Sequence, residues 1–540
     1  MTTNEVGSKR RWARAAGRLG LSVGAGLCAA AAWPSVDIWP LVFLVPTLLL
    51  LSIEGLSAGR RFLVGWLGGT VAFSLTFHWV YVTMRDMTSF PWAAAVGALV
   101  LFGLAHGLLW ALFAWWVGPI RRRLGGAWFF VAAVLWMAME HVFPFLFPIF
   151  LGYALWSSHF MIQAADIVGV PGLTFIIFFA GGGIADDCVR RGASRIPRYI
   201  GVALVVLVAL YGWVRPADVL DRSVLHTLDV GVVQPNIQVE EKHSPDALVR
   251  YRMLQRAVKQ TDALIVAGGE PDLLMWPEGS SPFVQRDFER ARRSGRRATS
   301  IYERSAQVFV EQARRARLGL TFGSMRRVGE RTRNAAVFIP SGEGEVLYYD
   351  KHLLVPFGET IPFSDTFPSL RGSIPGISDF ERGSERVFFP LDEIQALPTI
   401  CYENIFSGFV RDGLSEGGDM FVNYTNDMWF GDTRALDLHL MAQAIRCVEN
   451  RVPLVRATGT GVSAFVDATG SVVERSERLV PTFIRGTVEV RDVWSFHRAF
   501  GDVFFWLLLA GAVLVLVLRW SRNFIPVALS QRRNGGEPEQ

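Results

Sequence analysis

The sequence predicts two structures in one chain: an α-helical transmembrane bundle of about eight spans, and an α/β domain with layered sheets outside the membrane. Composition indicates this division. The 540 residues are 51% hydrophobic and only 19% charged, against roughly 25% charged residues in ordinary soluble domains. Apolar runs fill residues 15–214 and return at 503–518, and most of the charge lies between them. This distribution is typical of a membrane protein with one large extramembrane domain.

The membrane bundle is predicted from apolar runs that can form helices of about 20 residues, the length that crosses a bilayer. The run after the basic N-terminus is interpreted as a retained span rather than a signal peptide, because seven more apolar runs follow. The eight predicted spans are residues 17–33, 38–54, 62–83, 92–118, 126–147, 166–185, 199–214 and 502–519.

Arginine placement predicts the orientation of the spans, because short cytoplasmic loops are enriched in basic residues. The clusters follow spans two, four, six and eight, at Arg60–Arg61, Arg121–Arg123, Arg190–Arg198 and Arg519–Arg533. Both termini are therefore predicted to be cytoplasmic. The predicted domains are a membrane bundle at 1–215, an extracytoplasmic domain at 216–497, and the eighth span with a tail at 498–540. Because the clusters flank apolar runs, they predict topology rather than nucleic-acid binding.

Several polar residues lie within or near the predicted spans, where they are costly and often functional. They are His78, His106, Glu140, His141 and Asp166. The alternative interpretation is that they lie near the interface or pair within the bundle. Proline and glycine between residues 147 and 172 indicate broken helix or re-entrant backbone in this region.

The extramembrane domain alternates short apolar runs with amphipathic stretches, which predicts an α/β fold with layered sheets. Helices are predicted at 247–264, 298–316 and 438–450. Strands are predicted at 230–233, 272–276, 318–322, 335–339, 346–349, 399–401, 419–423, 454–457, 462–467, 471–474 and 486–490.

Three apolar strands end in residues that together can perform chemistry: Glu278, Lys351 and Cys401. Alone, Cys401 is as well explained as a buried small hydrophobe, and a strand-end Glu or Lys as a solvated charge. Strand ends of α/β folds converge at one sheet edge. There a carboxylate can act as general base, a thiol as nucleophile, and an ammonium as stabiliser of the thiolate and of an oxyanion. Cys447, on a predicted helix, is interpreted as a core residue.

The segments 275–278 (MWPE), 350–359 (DKHLLVPFGE), 400–403 (ICYE) and 426–432 (NDMWFGD) resemble the apolipoprotein N-acyltransferases, a family of the nitrilase-like carbon–nitrogen hydrolase superfamily. The resemblance covers nearly the whole chain, because the span layout, Glu140, Gly152-Tyr153 and Gln163 also resemble the family's membrane half. It implies an αββα sandwich for the extramembrane domain and a bacterial inner-membrane protein whose catalytic domain is periplasmic.

The resemblance also implies a mechanism and its residues. Glu278 is the implied general base, Lys351 the oxyanion stabiliser and Cys401 the nucleophile that takes an acyl chain from a phospholipid, typically phosphatidylethanolamine. The α-amine of a diacylglyceryl apolipoprotein then accepts the acyl group. Four further positions match residues that support or shape the site: Glu359, Tyr402, Glu403 and Trp429. Neither a cofactor nor a metal ion is expected, since the sequence has no Cys-x-x-Cys or His/Cys metal spacing.

Two positions depart from the family pattern, and both bear on substrate contacts. His243 stands where a tryptophan often follows the lysine, and Ile149 stands where a tryptophan often follows Phe-Pro. The segment 356–376, rich in Pro, Gly, Ser and Phe, is predicted to be a mobile flap over the site. The basic segment 286–297 is interpreted as solvated, with contact to anionic headgroups as the alternative.

Two other functions use the same observations. A membrane-anchored amidase would share the triad and use water as the second acceptor. A transporter or lipoprotein-binding scaffold would need only binding by the outer domain. Acyl transfer to a diacylated lipopeptide distinguishes the first alternative, and dependence of function on Cys401 distinguishes the second.

Overall fold

The structure, a computed structural model, describes residues 3–88, 90–190, 196–242, 244–281, 288–293, 300–361, 366–367, 369 and 379–530. The chain divides into two compact units. The first comprises Met1–His78, Val96–Trp213 and Phe500–Gln540, and the second comprises Trp79–Ala95 and Val214–Ala499. In the part of the chain that is described, the residues before 222 form eight α-helices: α1 Thr3–Ala32, α2 Leu44–Ser52, α3 Ala58–Thr76, α4 Trp79–Thr88, α5 Trp92–Leu124, α6 Trp128–Val142, α7 Ala165–Arg190 and α8 Ile196–Asp221.

Apolar helices of membrane-crossing length identify a membrane region in this half of the chain. Within the described residues, four segments are long and apolar enough: Trp12–Ala32, Trp92–Val142, Ile162–Val189 and Arg198–Asp221. A fifth is added if α3 and α4, which are bent by 54° relative to each other, count as one span. The shorter apolar helices Trp39–Ser52 and Val503–Arg519 coincide with the second and eighth predicted spans. The number eight stays a prediction.

The run predicted as one span at 62–83 is two helices, because α3 ends at Thr76 and α4 begins at Trp79. Helix α4 belongs to the second unit. There the Thr83 hydroxyl donates to the Trp429 carbonyl at 2.8 Å, and the Trp79 ring packs edge-on against Phe430 at 4.8 Å. Hydropathy did not reveal this division, because the apolar run continues from α3 through the first residues of α4.

Glu140 of α6 accepts three hydrogen bonds inside the first unit. This agrees with the alternative that polar residues in the predicted spans pair within the bundle. Its carboxylate accepts from Trp136 Nε1 at 2.9 Å, from the Leu151 backbone N–H at 3.0 Å and from Thr174 Oγ1 at 3.0 Å. Because Leu151 begins a short 3₁₀ turn after an irregular stretch, the carboxylate fixes this backbone between two helices. Helix α7 is itself interrupted at Gly169, whose φ of 63° and ψ of 176° are not helical.

The second half of the described chain forms twelve strands with helices between and after them. The strands are β1 Val224–Gln234, β2 Leu273–Met275, β3 Gly319–Val328, β4 Arg331–Pro340, β5 Leu347–Asp350, β6 Phe389–Leu391, β7 Ile394–Ile400, β8 Met420–Thr425, β9 Leu454–Thr458, β10 Ala464–Val466, β11 Val472–Arg475 and β12 Thr482–Arg491. The helices are α9 Val239–Lys242, α10 Ala247–Gly268, α11 Phe288–Arg293, α12 Ile301–Ala313, α13 Ser407–Ser415, α14 Ala435–Asn450, α15 Phe496–Phe500 and α16 Val503–Ser530.

Two six-stranded sheets build the layers of this domain, in the orders β12-β1-β2-β3-β4-β5 and β11-β10-β9-β8-β7-β6. Each has a parallel centre, β1-β2-β3 in the first and β7-β8-β9 in the second. Side chains alternate along each strand. Val230 and Met275 therefore join a core shared by both sheets, whereas Leu274 and Trp276 pack with α10 and α12 on the outer face. The predicted layered α/β domain is confirmed.

Most predicted strands and helices coincide with observed ones within a few residues, and five of the described elements were not predicted: β6, α9, α11, α13 and α15. Strand β6 has only three residues and contains Pro390, and α13 contains two glycines, which are poor helix formers. The helix expected from 298 begins at Ile301, because the Ser300 hydroxyl caps it by accepting from the Glu303 N–H at 3.2 Å.

The Glu140 contacts predict a structural role that thermal unfolding of the detergent-solubilised protein can measure. Glu140→Leu leaves three buried donors without an acceptor, at a cost of about 1–3 kcal/mol each. We expect a clearly lower unfolding midpoint. Glu140→Gln should lower it less, because its carbonyl oxygen still accepts. An unchanged midpoint in Glu140→Leu, with loss of activity, would instead indicate a functional carboxylate.

Candidate active site

The first sheet brings Glu278 and Lys351 to the same edge. Strand β2 pairs in parallel with β3, and Glu278 lies three residues beyond its last residue, Met275. Strand β4 pairs with β3 on one side and with β5 on the other. Its Ala335 lies opposite Asp350, the last residue of β5, and Lys351 is the next residue. The Lys351 N–H also donates to the Asn334 carbonyl at 2.8 Å. The register of four strands therefore places the carboxylate and the ammonium side by side.

Gly323 on β3 permits the close approach of the loop that carries Glu278. A Cβ at this position would lie 2.5 Å from Glu278 Cα and 2.9 Å from the Gly279 nitrogen. Both contacts are with backbone, which cannot move aside as a flexible side chain can. Any larger residue at 323 would therefore displace Glu278.

Asn334 and Glu359 hold the two charged groups through direct contacts. The Asn334 amide donates to Glu278 Oε1 at 2.7 Å and to Glu359 Oε1 at 2.9 Å. Glu359 also pairs with the Lys351 ammonium at 2.8 Å and accepts from the Val355 N–H at 2.9 Å. The other oxygen of Glu278, Oε2, is buried and has no hydrogen-bond partner among the described residues. This oxygen is the acceptor that a general base needs.

Cys401 follows β7 of the second sheet and has a backbone φ of 52°, in the left-handed region that is unusual for a residue with a side chain. Its side chain packs against the core that both sheets share. Burial raises the pKa of the Cys401 thiol, the Glu278 carboxylate raises it further, and the Lys351 ammonium lowers it. The resting thiol is therefore protonated and needs a base before it can attack.

The ammonium of Lys351 keeps its charge although it is 1% exposed. Burial alone lowers the pKa of Lys351, but the carboxylates of Glu359 and Glu278 outweigh burial and hold this pKa above its usual range. A permanently charged donor beside the thiol can stabilise a developing oxyanion without giving up its proton.

Glu403 connects the end of β7, which precedes Cys401, to the segment after Lys351. Its carboxylate accepts from the N–H groups of Ile400, His352 and Leu353 at 2.8, 2.6 and 3.1 Å, and from the Tyr349 hydroxyl at 2.9 Å. Burial raises the pKa of Glu403 to about 7, while Lys351 and the three backbone donors act in the opposite direction. The side chain thus fixes the turn containing Cys401 against the segment that follows Lys351.

The other residues predicted for the site differ in how much of each side chain is exposed. Tyr402 is 8% exposed and packs edge-on against Phe406 at 4.8 Å, and burial raises its pKa to about 12. Trp429 is 37% exposed in the loop that contacts α4. His243 lies outside the described residues, and so does most of the predicted flap at 356–376.

The predicted basic segment is described only at 288–293, where it forms α11. There Arg292 donates to the carbonyls of Gly342 and Gly344. Both hydrogen bonds are exposed, so the interpretation of the whole segment as solvated stays a prediction.

Two polar residues near the site were not assigned by the sequence. Asn334 lies inside a strand and has no motif around it, so only the fold reveals its contacts. Lys242 lies at the end of α9, and a Cβ at Gly279 would be 2.8 Å from its Nζ. Burial lowers the pKa of Lys242, and the carboxylates of Glu278 and Glu359 raise it. The sequence feature that could have identified Lys242 is its position directly before His243, which departs from the family pattern. Among the described residues, no group of three or more His, Cys, Asp or Glu side chains could hold a metal ion.

Comparisons with known proteins match both halves of the chain. The profile of the apolipoprotein N-acyltransferase N-terminal domain matches residues 25–183, and that of the carbon-nitrogen hydrolases matches residues 229–493. An apolipoprotein N-acyltransferase of Geobacter metallireducens is 30% identical over 524 residues, covering 94% of this chain and 96% of the relative. One of Rhizobium etli is 30% identical over 545 residues, covering 93% and 95%.

Solved structures of the nitrilase superfamily resemble part of the chain. Nit3 of Saccharomyces cerevisiae has a TM-score of 0.35 at 15% identity, covering 49% of this chain and 91% of its own. A carbon–nitrogen hydrolase superfamily protein of Xanthomonas campestris also has a TM-score of 0.35, at 18% identity, covering 53% and 97%.

The charges around Cys401 predict opposite effects of two substitutions on thiol reactivity. Glu278→Gln removes a negative charge that raises the thiol pKa, so more thiolate exists at a given pH. Alkylation of Cys401 by iodoacetamide should accelerate by about tenfold, which corresponds to about one pKa unit. Lys351→Met removes a charge that lowers the pKa, so alkylation should slow. Both rates are measured by peptide mass spectrometry.

The same experiment includes two internal controls. Cys188 is exposed, so its alkylation should be equal in all variants. Glu330→Gln changes a side chain that is 96% exposed and should leave Cys401 reactivity unaltered. Slower alkylation of Cys401 in Glu278→Gln would contradict the electrostatic assignment.

Proposed function

Because the chain belongs to the apolipoprotein N-acyltransferase family, we propose that Glu278, Lys351 and Cys401 are the triad that performs its N-acylation in lipoprotein maturation. The observation that carries this assignment is the buried Oε2 of Glu278, which has no hydrogen-bond partner within the described part of the chain, together with an ion-paired Lys351 and a protonated thiol. This set contains an acceptor for one proton, a fixed positive charge and a nucleophile.

In the first step, Glu278 Oε2 takes the proton of Cys401, and the thiolate sulfur attacks the ester carbonyl of a phospholipid acyl chain. The carbonyl oxygen becomes an oxyanion that Lys351 stabilises, with a single good donor worth about 3–4 kcal/mol. When the tetrahedral intermediate collapses, the ester C–O bond breaks. The lysophospholipid oxygen leaves with the proton from Glu278, and the acyl group remains on Cys401 as a thioester.

In the second step, the acceptor is the α-amine of an N-terminal S-diacylglyceryl-cysteine. The amine attacks the thioester carbonyl and gives a proton to Glu278 as the C–N bond forms. Lys351 again stabilises the oxyanion. The C–S bond then breaks, and Glu278 returns the proton to the Cys401 sulfur, so the enzyme regains its starting state.

Tyr402, Glu403, Glu359 and Trp429 have supporting roles in this proposal. Glu359 keeps Lys351 charged and in place, and Glu403 holds the nucleophile turn. Trp429, on the loop against α4, and His243 are proposed to contact lipid. The acyl donor is proposed to be phosphatidylethanolamine, on the family resemblance.

The proposed cellular arrangement is a bacterial inner-membrane protein with eight spans and both termini in the cytoplasm. Residues 1–215 are the membrane bundle, residues 216–497 the periplasmic catalytic domain, and residues 498–540 the last span with its tail. The arginine clusters that follow alternate spans support this orientation. A lipid-consuming thiol then lies on the side where lipoproteins emerge.

The triad predicts a trapped intermediate. When the purified protein is incubated with phosphatidylethanolamine and no acceptor, intact-mass spectrometry should show an adduct of one acyl chain on Cys401. Adding a diacylated lipopeptide should discharge it and give a triacylated product. Cys401→Ala should form no adduct and Cys447→Ala a normal one. Release of free fatty acid with no triacylated product would favour an amidase-like hydrolase, and full cellular function of Cys401→Ala would favour a binding scaffold.

The topology predicts the activity of reporter fusions. Alkaline phosphatase, which is active only outside the cytoplasm, should be active when fused after Arg222 and inactive when fused after Arg123 or Gln540. An active fusion after Gln540 would contradict an even number of spans. The readout is phosphatase activity of intact cells relative to the amount of fusion protein.

A further inference from the structure

The backbone carbonyl of Cys401 is held by groups that the proposed triad does not use. Its φ of 52° is a left-handed conformation, which relaxes easily unless the surrounding structure fixes it. The Cys401 carbonyl oxygen lies 3.0 Å from Gln443 Nε2 and 3.4 Å from His439 Nε2. Both side chains come from α14, one turn apart.

The chemistry of the carbonyl determines how the Gln443 amide is oriented. A carbonyl oxygen only accepts, so the group at 3.0 Å must be the amide nitrogen. The same nitrogen lies 3.0 Å from His439 Nε2. Gln443 Oε1 is buried without a hydrogen-bond partner among the described residues. The amide thus leaves its oxygen unsatisfied and uses both N–H groups, one on Cys401 and one on His439.

His439 can accept this hydrogen bond because its other ring nitrogen carries the proton. His439 Nδ1 lies 2.8 Å from Asp427 Oδ1, and Asp427 Oδ2 accepts from Arg456 at 2.5 Å. Burial alone would raise the pKa of Asp427, but Arg456 and His439 hold it below its usual range, so the carboxylate is ionised. Asp427 accepts a hydrogen bond from the N–H at Nδ1 of His439, and this tautomer has its lone pair on Nε2. In this tautomer His439 Nε2 and the Cys401 oxygen are both acceptors, so the carbonyl depends on Gln443.

This series of hydrogen bonds is anchored on fixed elements of the second sheet. Arg456 lies on β9 and donates to the Val462 carbonyl at 3.1 Å, and Asp427 follows β8 by two residues. Arg456, Asp427 and Gln443 are at most 1% exposed. Each group in the order Arg456, Asp427, His439, Gln443 and the Cys401 carbonyl is therefore held by a hydrogen bond to its neighbour.

We propose that Gln443 is a positioning residue whose amide, oriented by His439, Asp427 and Arg456, holds the Cys401 carbonyl and so fixes the backbone that aims the thiol. The inference rests on the proposed role of Cys401 as nucleophile. Without the amide, the carbonyl loses its donor and the sulfur moves relative to Glu278 and the ester. The chemical step slows while lipid binding is unchanged.

The test measures steady-state acyl transfer by the full-length protein, with phosphatidylethanolamine and a diacylated lipopeptide in mixed micelles. Gln443→Met keeps the volume of the side chain and removes the donor. We expect kcat to fall by about 10- to 100-fold, the effect of a small misplacement of a reacting group. KM for phosphatidylethanolamine should stay within about twofold, because the substitution touches no substrate.

A second variant tests whether the series acts as a unit. His439→Phe keeps the ring and removes the acceptor that orients Gln443, so its kcat should fall to a similar extent. The double variant should be no slower than the slower single variant, because residues that act through one another are not additive. Cys447→Ala, on the same helix and away from the Cys401 carbonyl, is the matched control. It should lower the unfolding midpoint and leave kcat unchanged.

The outcomes separate this inference from the triad on which it rests. If Gln443→Met has a normal kcat, or if the two single effects multiply in the double variant, the positioning role is wrong while the triad stands. If Gln443→Met and Cys447→Ala lose stability and kcat in parallel, the role is only structural and the inference is overturned. If Cys401→Ala retains acyl transfer, the triad itself is wrong, whatever Gln443 does.

Discussion

The ion pair of Lys351 with Glu359 is the interaction on which the candidate site depends. Removing charges from water costs several kcal/mol per ion unless each is paired and hydrogen-bonded. Here Glu359 satisfies Lys351, while the Asn334 amide bridges Glu359 to Glu278. These contacts use every oxygen of the two carboxylates except Oε2 of Glu278. The contacts that offset the cost of burying these charges therefore leave one carboxylate oxygen, Oε2 of Glu278, to accept a proton.

Cys401, the proposed nucleophile, comes from the other sheet, so the packing of the two sheets decides whether it can lie near Glu278 and Lys351. Glu278, Asn334 and Lys351 belong to the first sheet, and Cys401 belongs to the second. The shared apolar core sets the distance between the layers, and the Tyr424 hydroxyl meets Thr321 across it. Glu403 then joins the Cys401 turn to the segment after Lys351. A change in the core thus affects the site as well as stability.

Helix α4 shows that the boundary between the halves of the chain is not where hydropathy changes. It follows an apolar helix in sequence, yet it groups with the α/β domain and contacts Trp429 and Phe430. The loop it touches begins at Asp427, which in turn contacts His439 and Arg456. This loop is therefore held by a segment that precedes α5 in sequence and groups with the α/β domain.

The sequence by itself determined the class of each half and the residues at the strand ends. Periodicity and run length report burial directly, so Glu278, Lys351 and Cys401 were identifiable where apolar strands stop, and the motifs around them indicated the family. Only the tertiary structure decided which partners these residues have. Asn334, Lys242, Gln443, Arg456 and His439 carry no local pattern that assigns these contacts, and the 426–432 motif contains Asp427 without revealing its partners. Hydrogen bonds between distant segments depend on sheet register and helix placement, which the whole core fixes and no single stretch of sequence encodes.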